Sequence, residues 1–437
     1  MSKNKNTAEQ RFETKAIHIA GEPDKETGAR FPALHQAVSF VFKDTKHAAD
    51  VFSLKTPGYI YSRANNPTVN ALETRIAALE GGTAATATAS GLGAQMLIFS
   101  ALLNSGDEYV ASNKMYGGTL GQIRDTFTRS FGWNAHLVDP SDVQNFKNAI
   151  TPKTKFIFVE SLSNPEGVIP DLEGLGKIAK EAGIPLIVDN TVASPYLCRP
   201  IEFGANIVTH STTKYMNGHG NALGGVVVDG GNFDWMKYKE KFPTLTEPNL
   251  SYRGLVFAED FADAPMAVYN HGVSLRDLGN NQQPMNAWLT LMGLETLALR
   301  MERHCENAQK VAEYLSKHKD VAWVNYGGLE SSPYYERAQK YMRNGWASSL
   351  FTFGLKGGYN AGVKVVENAK LFSHLANIGD SRSLIIHPAS TTHAQLTDGQ
   401  KILAGAAPDV VRISVGIEHI DDIIADLEQA IEIASNS

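Results

Sequence analysis

The sequence predicts an α/β fold: a mostly parallel central sheet with helices on both faces, plus a smaller C-terminal α/β domain. Three observations predict it. Short apolar runs such as Phe156-Ile157-Phe158-Val159 and Gly225-Val226-Val227-Val228 lack polar alternation, which suits strands covered on both sides. Helix-length segments separate them, as crossovers between parallel strands require. The chain has 437 residues, 43% of them hydrophobic and 20% charged, enough for two domains and a large core.

The elements follow in order. Residues 1–66 read as an irregular arm with short helices, broken by Gly28, Pro32, Pro57 and Gly58. A helix starts near Pro67, with Leu72, Ile76 and Leu79 on one face, and Gly81-Gly82 stops it. Ala94–Leu103 is a helix, Tyr109–Ala111 a strand, Phe156–Glu160 a second strand and Leu172–Ala182 a helix. Pro185–Asp189, Ile207–His210 and Gly225–Val228 are further strands. Residues from about 230 to 282 lose periodicity, are rich in aromatic residues, and read as an insertion in a large domain spanning 67–283. A long helix, with breaks, runs from near Pro284 to about Lys317 and opens a C-terminal domain, 284–437, whose strands include Ser349–Phe353 and Val410–Val415.

Composition narrows the functional classes. A net charge of −6, without a basic run, gives no electrostatic case for nucleic acid. Met1–Gln10 is polar and lacks an apolar signal core, and no apolar stretch is long enough to span a bilayer, so no membrane role is expected. Two distant cysteines, Cys198 and Cys305, fit free thiols and a cytoplasmic location. The histidines show no metal-ligand spacing, and no metal is expected. No Gly-x-Ser-x-Gly elbow supports a serine hydrolase.

The run His210-Ser211-Thr212-Thr213-Lys214 carries the most chemistry. The strand before it delivers Lys214 to the strand's end, where open α/β sheets place ligands. A lysine withdrawn from water loses part of its preference for charge and can attack a carbonyl to form a Schiff base. Hydroxyls of Ser211 and Thr213 beside it suit a phosphate, and together they suggest pyridoxal 5'-phosphate (PLP). A solvated surface lysine is the ordinary alternative. Ser90-Gly91-Leu92-Gly93 before a helix offers amides to an anion. The same turn occurs in nicotinamide sites, but the third glycine and the acidic residue of that fingerprint are missing. Asp189, at a strand end, suits a pyridinium nitrogen; a turn aspartate is the commoner reading. Tyr116 suits stacking on a flat ring, or ordinary core packing. Tyr61 with Arg63 suits phosphate, or a surface ion pair. Arg412, on an apolar strand, needs an anion: a substrate carboxylate or an internal acid.

Taken in order, Tyr61-Ser62-Arg63, Asn66-Pro67-Thr68, Ser90–Ala94, Val188–Thr191, Ser211–Tyr215, His387–Ser390 and Arg412–Gly416 resemble the Cys/Met-metabolism family of PLP enzymes, of fold type I. The resemblance runs from about residue 12 to the C-terminus. It implies that Lys214 bonds the cofactor, that Asp189 faces the pyridine nitrogen and that Tyr116 stacks on the ring. It implies phosphate contacts from the backbone of Gly91 and Leu92 and from Ser211 and Thr213, with Asn164 near the 3'-oxygen. Tyr61 and Arg63 would reach the cofactor of a neighbouring subunit, implying a homo-oligomer, usually a tetramer. Arg412 would hold the substrate α-carboxylate. Ser383 and Asn377 join it as substrate-binding residues, although Asn377 occupies a place that is serine in several relatives. The segment after Val228 and Gly379–Pro388 resemble the branch that replaces the acetoxy group of O-acetylhomoserine with sulfide. Cystathionine γ-synthase, O-succinylhomoserine sulfhydrylase and methionine γ-lyase share the cofactor chemistry and remain alternatives. Gly118, where methionine γ-lyases typically carry cysteine, argues against the last.

Overall fold

Seven strands form the larger sheet: β1 (Ala84–Thr88), β2 (Glu108–Ser112), β3 (Asn134–Val138), β4 (Thr154–Glu160), β5 (Leu186–Asp189), β6 (Ile207–His210) and β7 (Gly225–Asp229). Their spatial order is β1-β7-β6-β5-β4-β2-β3. The five strands from β6 to β3 pair in parallel, and β7 is antiparallel to both of its neighbours. Six of the seven therefore share one direction, and their carboxyl ends line one edge. The structure is a computed structural model that describes residues 10–395 and 397–436. The polar start of the arm, residues 1–9, lies outside them.

Alternate side chains divide the sheet between two cores. Val110, Ile157, Val159, Leu186, Val188 and Val208 face one, and Tyr109, Phe156, Phe158, Ile187 and Ile207 face the other. Burial on both sides is why these strands read as unbroken apolar runs. The second core is aromatic: Tyr109 stacks on Phe156 with centroids 4.9 Å apart, and Phe99 meets both rings. Residues 230–282 complete that core. They form short helices, among them Pro243–Thr246, Phe257–Asp260 and Pro265–Tyr269, that bury Trp235, Phe242, Leu245, Phe257 and Met266 against it. Helices of four or five residues are too short to display a period, which is why the sequence pattern fades there.

Two strands of this sheet escaped the sequence reading. β1 is Ala-Ala-Thr-Ala-Thr, without a bulky residue, and β3 is a half-exposed edge carrying Asn134 and His136. The Pro67–Glu80 helix follows its signals. Asn66 caps it, accepting from the Thr68 amide at 2.9 Å, and Gly81 ends it in the left-handed region at φ +80°. The long C-terminal helix is two, Pro284–Glu295 and Leu297–Lys317, broken at Thr296.

The second sheet has β8 (Val321–Asn325), β9 (Leu350–Leu355), β10 (Ser373–His374), β11 (Leu384–Ile386) and β12 (Val410–Ser414), in the order β10-β11-β12-β9-β8. The Gly358–Asn368 and Ile420–Ser435 helices pack on it through Val365, Val366, Leu427 and Ile431. Asp426 fastens the second of these: its carboxylate accepts from the amides of Lys370 (2.8 Å), Leu371 (2.8 Å) and Phe372 (3.1 Å) just before β10. Replacing Asp426 by alanine strips three amides of a charged partner at once. The expected loss is about 3 kcal/mol, read as a lower urea midpoint; an unchanged midpoint contradicts this account.

Candidate active site

The carboxyl ends of the parallel strands gather the polar residues. Glu160 ends β4 and Asp189 ends β5, and the register places them side by side. Two residues past β5, Thr191 ties the strand ends together. Its amide donates to Asp189 Oδ1 at 3.0 Å, and its hydroxyl accepts from the Ser211 amide at 2.8 Å. β6 then leads through Ser211 into the turn that carries Lys214. Arg300, buried in the Leu297–Lys317 helix, grips this turn by donating to the carbonyls of Tyr215 (2.7 Å) and Met216 (3.3 Å).

One helix serves both ends of the crevice. Gly91–Leu102 begins beside Ser211, so closely that a Cβ on Gly91 would lie 2.8 Å from Ser211 Cβ. Ser90 caps it through the Gly93 amide at 3.1 Å, leaving the Gly91 and Leu92 amides at the head of the helix without an intrahelical acceptor. One turn on, Gln95 Nε2 donates to Asp189 Oδ2 at 3.3 Å. The rise between them is about 6 Å. The anion-binding end of the helix and the residue that orients the carboxylate are thus one turn apart.

Lys214 Nζ donates to Asn377 Oδ1 at 2.6 Å, and the Asn377 carbonyl accepts from Arg412 Nη2 at 3.3 Å. Arg412 Nη1 also donates to Asn164 Oδ1 at 3.2 Å. Burial, with the Arg412 charge adding to it, pulls the Lys214 amine down to about 8. At pH 7 about a tenth of it is free base, against a few ten-thousandths for an ordinary lysine. Burial likewise lowers Arg412, to about 10. Tyr116 opens a short helix after β2 and is 50% exposed. Its ring folds back over the residues that follow it, since a Cβ on Gly118 would lie 2.4 Å from Tyr116 Cε1.

Residues 13–432 match the Cys/Met metabolism PLP-dependent enzyme family. The chain belongs to that family of PLP-dependent enzymes. It is 48% identical to an O-acetyl-L-homoserine sulfhydrylase of Leptospira meyeri, covering 96% of each chain. It is 47% identical to a homocysteine synthase of Schizosaccharomyces pombe, over 97% of this chain and 98% of that one. A crystal structure of a putative O-acetylhomoserine (thiol)-lyase from Campylobacter jejuni superposes with a TM-score of 0.93 at 41% identity, covering 97% of this chain and all of the other. That structure carries N'-pyridoxyl-lysine-5'-monophosphate.

The residues present fit PLP. The tight Gly91–Ser211 cradle with its helix-head amides suits the phosphate, Asp189 suits the ring nitrogen, and Lys214 is the buried amine. Thr213 Oγ1 accepts from the Gly224 amide at 3.1 Å and lies 3.2 Å from the Gly224 carbonyl, which fixes its hydroxyl near the same turn. Asn164 and Asn377 stand with Arg412, as described. Tyr61 and Arg63 stand apart: Tyr61 is 44% exposed, Arg63 lies over its ring at 5.3 Å, and the neighbouring charge is Asp277. Among the described residues, no hydrogen bond joins either side chain to Lys214 or Asp189.

Ser383 faces other partners. It is fully buried, its hydroxyl donates to Glu418 Oε2 at 3.0 Å, and it accepts from the Gly416 amide at 2.9 Å. Its hydroxyl thus joins two loops of the C-terminal sheet. Gln95, Thr191 and Arg300 escaped the sequence reading. Gln95 and Arg300 act through partners far along the chain, and Thr191, although part of the Val188–Thr191 segment, gave no sign that its hydroxyl meets the Ser211 amide. Borohydride treatment of the PLP-loaded protein, then digestion, is expected to leave a phosphopyridoxyl group on the peptide bearing Lys214. Finding the group on another lysine, or on none, contradicts the assignment.

Proposed function

We propose that the chain catalyses γ-replacement on O-acetyl-L-homoserine by sulfide, releasing acetate and giving L-homocysteine, as a step in methionine and cysteine biosynthesis. The names of the relatives support this reading. The observation that carries it is the joining of Lys214 and Arg412 through the two oxygens of Asn377, which sets a base beside an anchor for an amino-acid carboxylate.

Bound PLP supplies an electron sink that makes the protons on Cα, and then Cβ, of the amino acid acidic. The rest falls to the protein. Arg412 offers its guanidinium to the α-carboxylate, with Asn164 holding one nitrogen in place. Lys214 takes the Cα proton, and as its amine remains tethered near Asn377 it can carry protons between neighbouring carbons on one face. Gln95 and the Thr191 amide donate to the two oxygens of Asp189 and orient its carboxylate toward the place of the ring nitrogen. Lys214 then takes a proton from Cβ, acetate leaves Cγ with the C–O electron pair, hydrosulfide forms the C–S bond there, and protons return to Cβ and then Cα. Tyr116 would cover the ring, and Gly91, Leu92, Ser211 and Thr213 would hold the phosphate.

The same reading makes the protein a cytoplasmic homotetramer of active-site-sharing dimers. The exposure of Tyr61 and Arg63 supports a role across a subunit boundary, and two buried free thiols suit a reducing compartment. Light scattering is expected to return about four times the 47.5 kDa chain mass; a monomer refutes the shared site. Acetyl, succinyl and phospho esters of homoserine, each offered with sulfide and with cysteine, test the chemistry. The acetyl ester with sulfide should give the highest kcat/KM, by at least about tenfold; faster turnover of the succinyl ester with cysteine would favour cystathionine γ-synthase instead.

A further inference from the structure

Glu160 is an acid that the chemistry above does not use. It is 7% exposed and lies beside Asp189, so burial, and then that second carboxylate, drive its pKa well up. An acid there is costly, and packing alone would favour an apolar residue. The carboxylate offers two acceptors in one plane, and each is taken by a different loop of the site. Oε1 accepts from the Tyr116 amide at 2.7 Å, and Oε2 accepts from the Asn164 amide at 3.1 Å. Asn164 in turn accepts from Arg412 Nη1. One side chain therefore spans from the tyrosine that roofs the crevice to the partner of the arginine across it.

We propose that Glu160 is a positioning residue for amino-acid binding: it sets Asn164 so that Arg412 is aimed, and it sets the backbone from which the Tyr116 ring folds. This rests on the reading of Arg412 as the carboxylate anchor. Glu160→Gln keeps the shape but turns one acceptor into a donor that faces an N–H group. Glu160→Ala leaves both amides unmet.

The test uses holoenzyme with one PLP per chain, titrated with L-norleucine, an amino acid of similar length without a γ leaving group, and followed by the change in visible absorbance. The Kd for L-norleucine is expected to rise about tenfold in Glu160→Gln and further in Glu160→Ala, while the KM for sulfide stays within about twofold. A merely structural role would lower the melting temperature and leave the Kd of the loaded fraction alone. Should Glu160→Ala not fold, Glu160→Gln decides by the same measure. Native-like Kd values in the Glu160 variants, with weakened binding in Arg412→Ala, overturn the role of Glu160. Native-like binding in Arg412→Ala itself overturns the carboxylate anchor, and the role of Glu160 with it.

Discussion

Lys214 and Arg412 share one half-buried corner, and the way their charges are reconciled governs the rest of the site. Two cations out of water repel each other and also lose hydration, so one of them must yield. Arginine starts from a much higher pKa and stays charged even when drawn down to about 10, whereas the lysine reaches about 8. The conflict thus produces a fixed cation and a partly neutral base. Asn377 makes the proximity tolerable by giving each of them an oxygen, one from its side chain and one from its backbone.

Around that corner the sheet acts as a ruler. Parallel pairing in register sets Glu160 level with Asp189, and one residue of slippage would turn either side chain into an apolar core. The Gly91–Leu102 helix serves both the anion-binding turn and Asp189 because its head and its fifth residue, Gln95, are one turn apart. Both devices are backbone geometry, and they need only a few specified side chains to work.

What the sequence disclosed follows from this division. Lys214, Asp189 and the Gly91 turn were legible because each is announced locally, by a strand end or a helix start. The parallel strands β2, β4, β5 and β6 were legible because burial on two faces leaves unbroken apolar runs, and the half-exposed edge β3 was not. β1 was not, since alanine and threonine give no apolar signal, and the 230–282 helices were not, since they are too short to repeat. The partners of the Ser383 hydroxyl were not legible, because its position next to site residues in the chain says nothing about where that hydroxyl points. The partners of Glu160 and Arg300 were hidden for a related reason. Glu160 meets a loop 44 residues earlier, and Arg300 meets a turn 85 residues earlier, and neither distance leaves a periodic trace.

Arg300 also has a mechanical consequence. It grows from the helix that leads into the second sheet, yet its guanidinium clasps the carbonyls on either side of the Tyr215–Met216 peptide and, at 2.7 Å, that of Gly293 across the break at Thr296. The hinge that such a break would provide is therefore bolted shut. Chimaeras that exchange the C-terminal half between relatives must transplant this clasp intact, or the half bearing the guanidinium and the half bearing the amine would drift out of alignment.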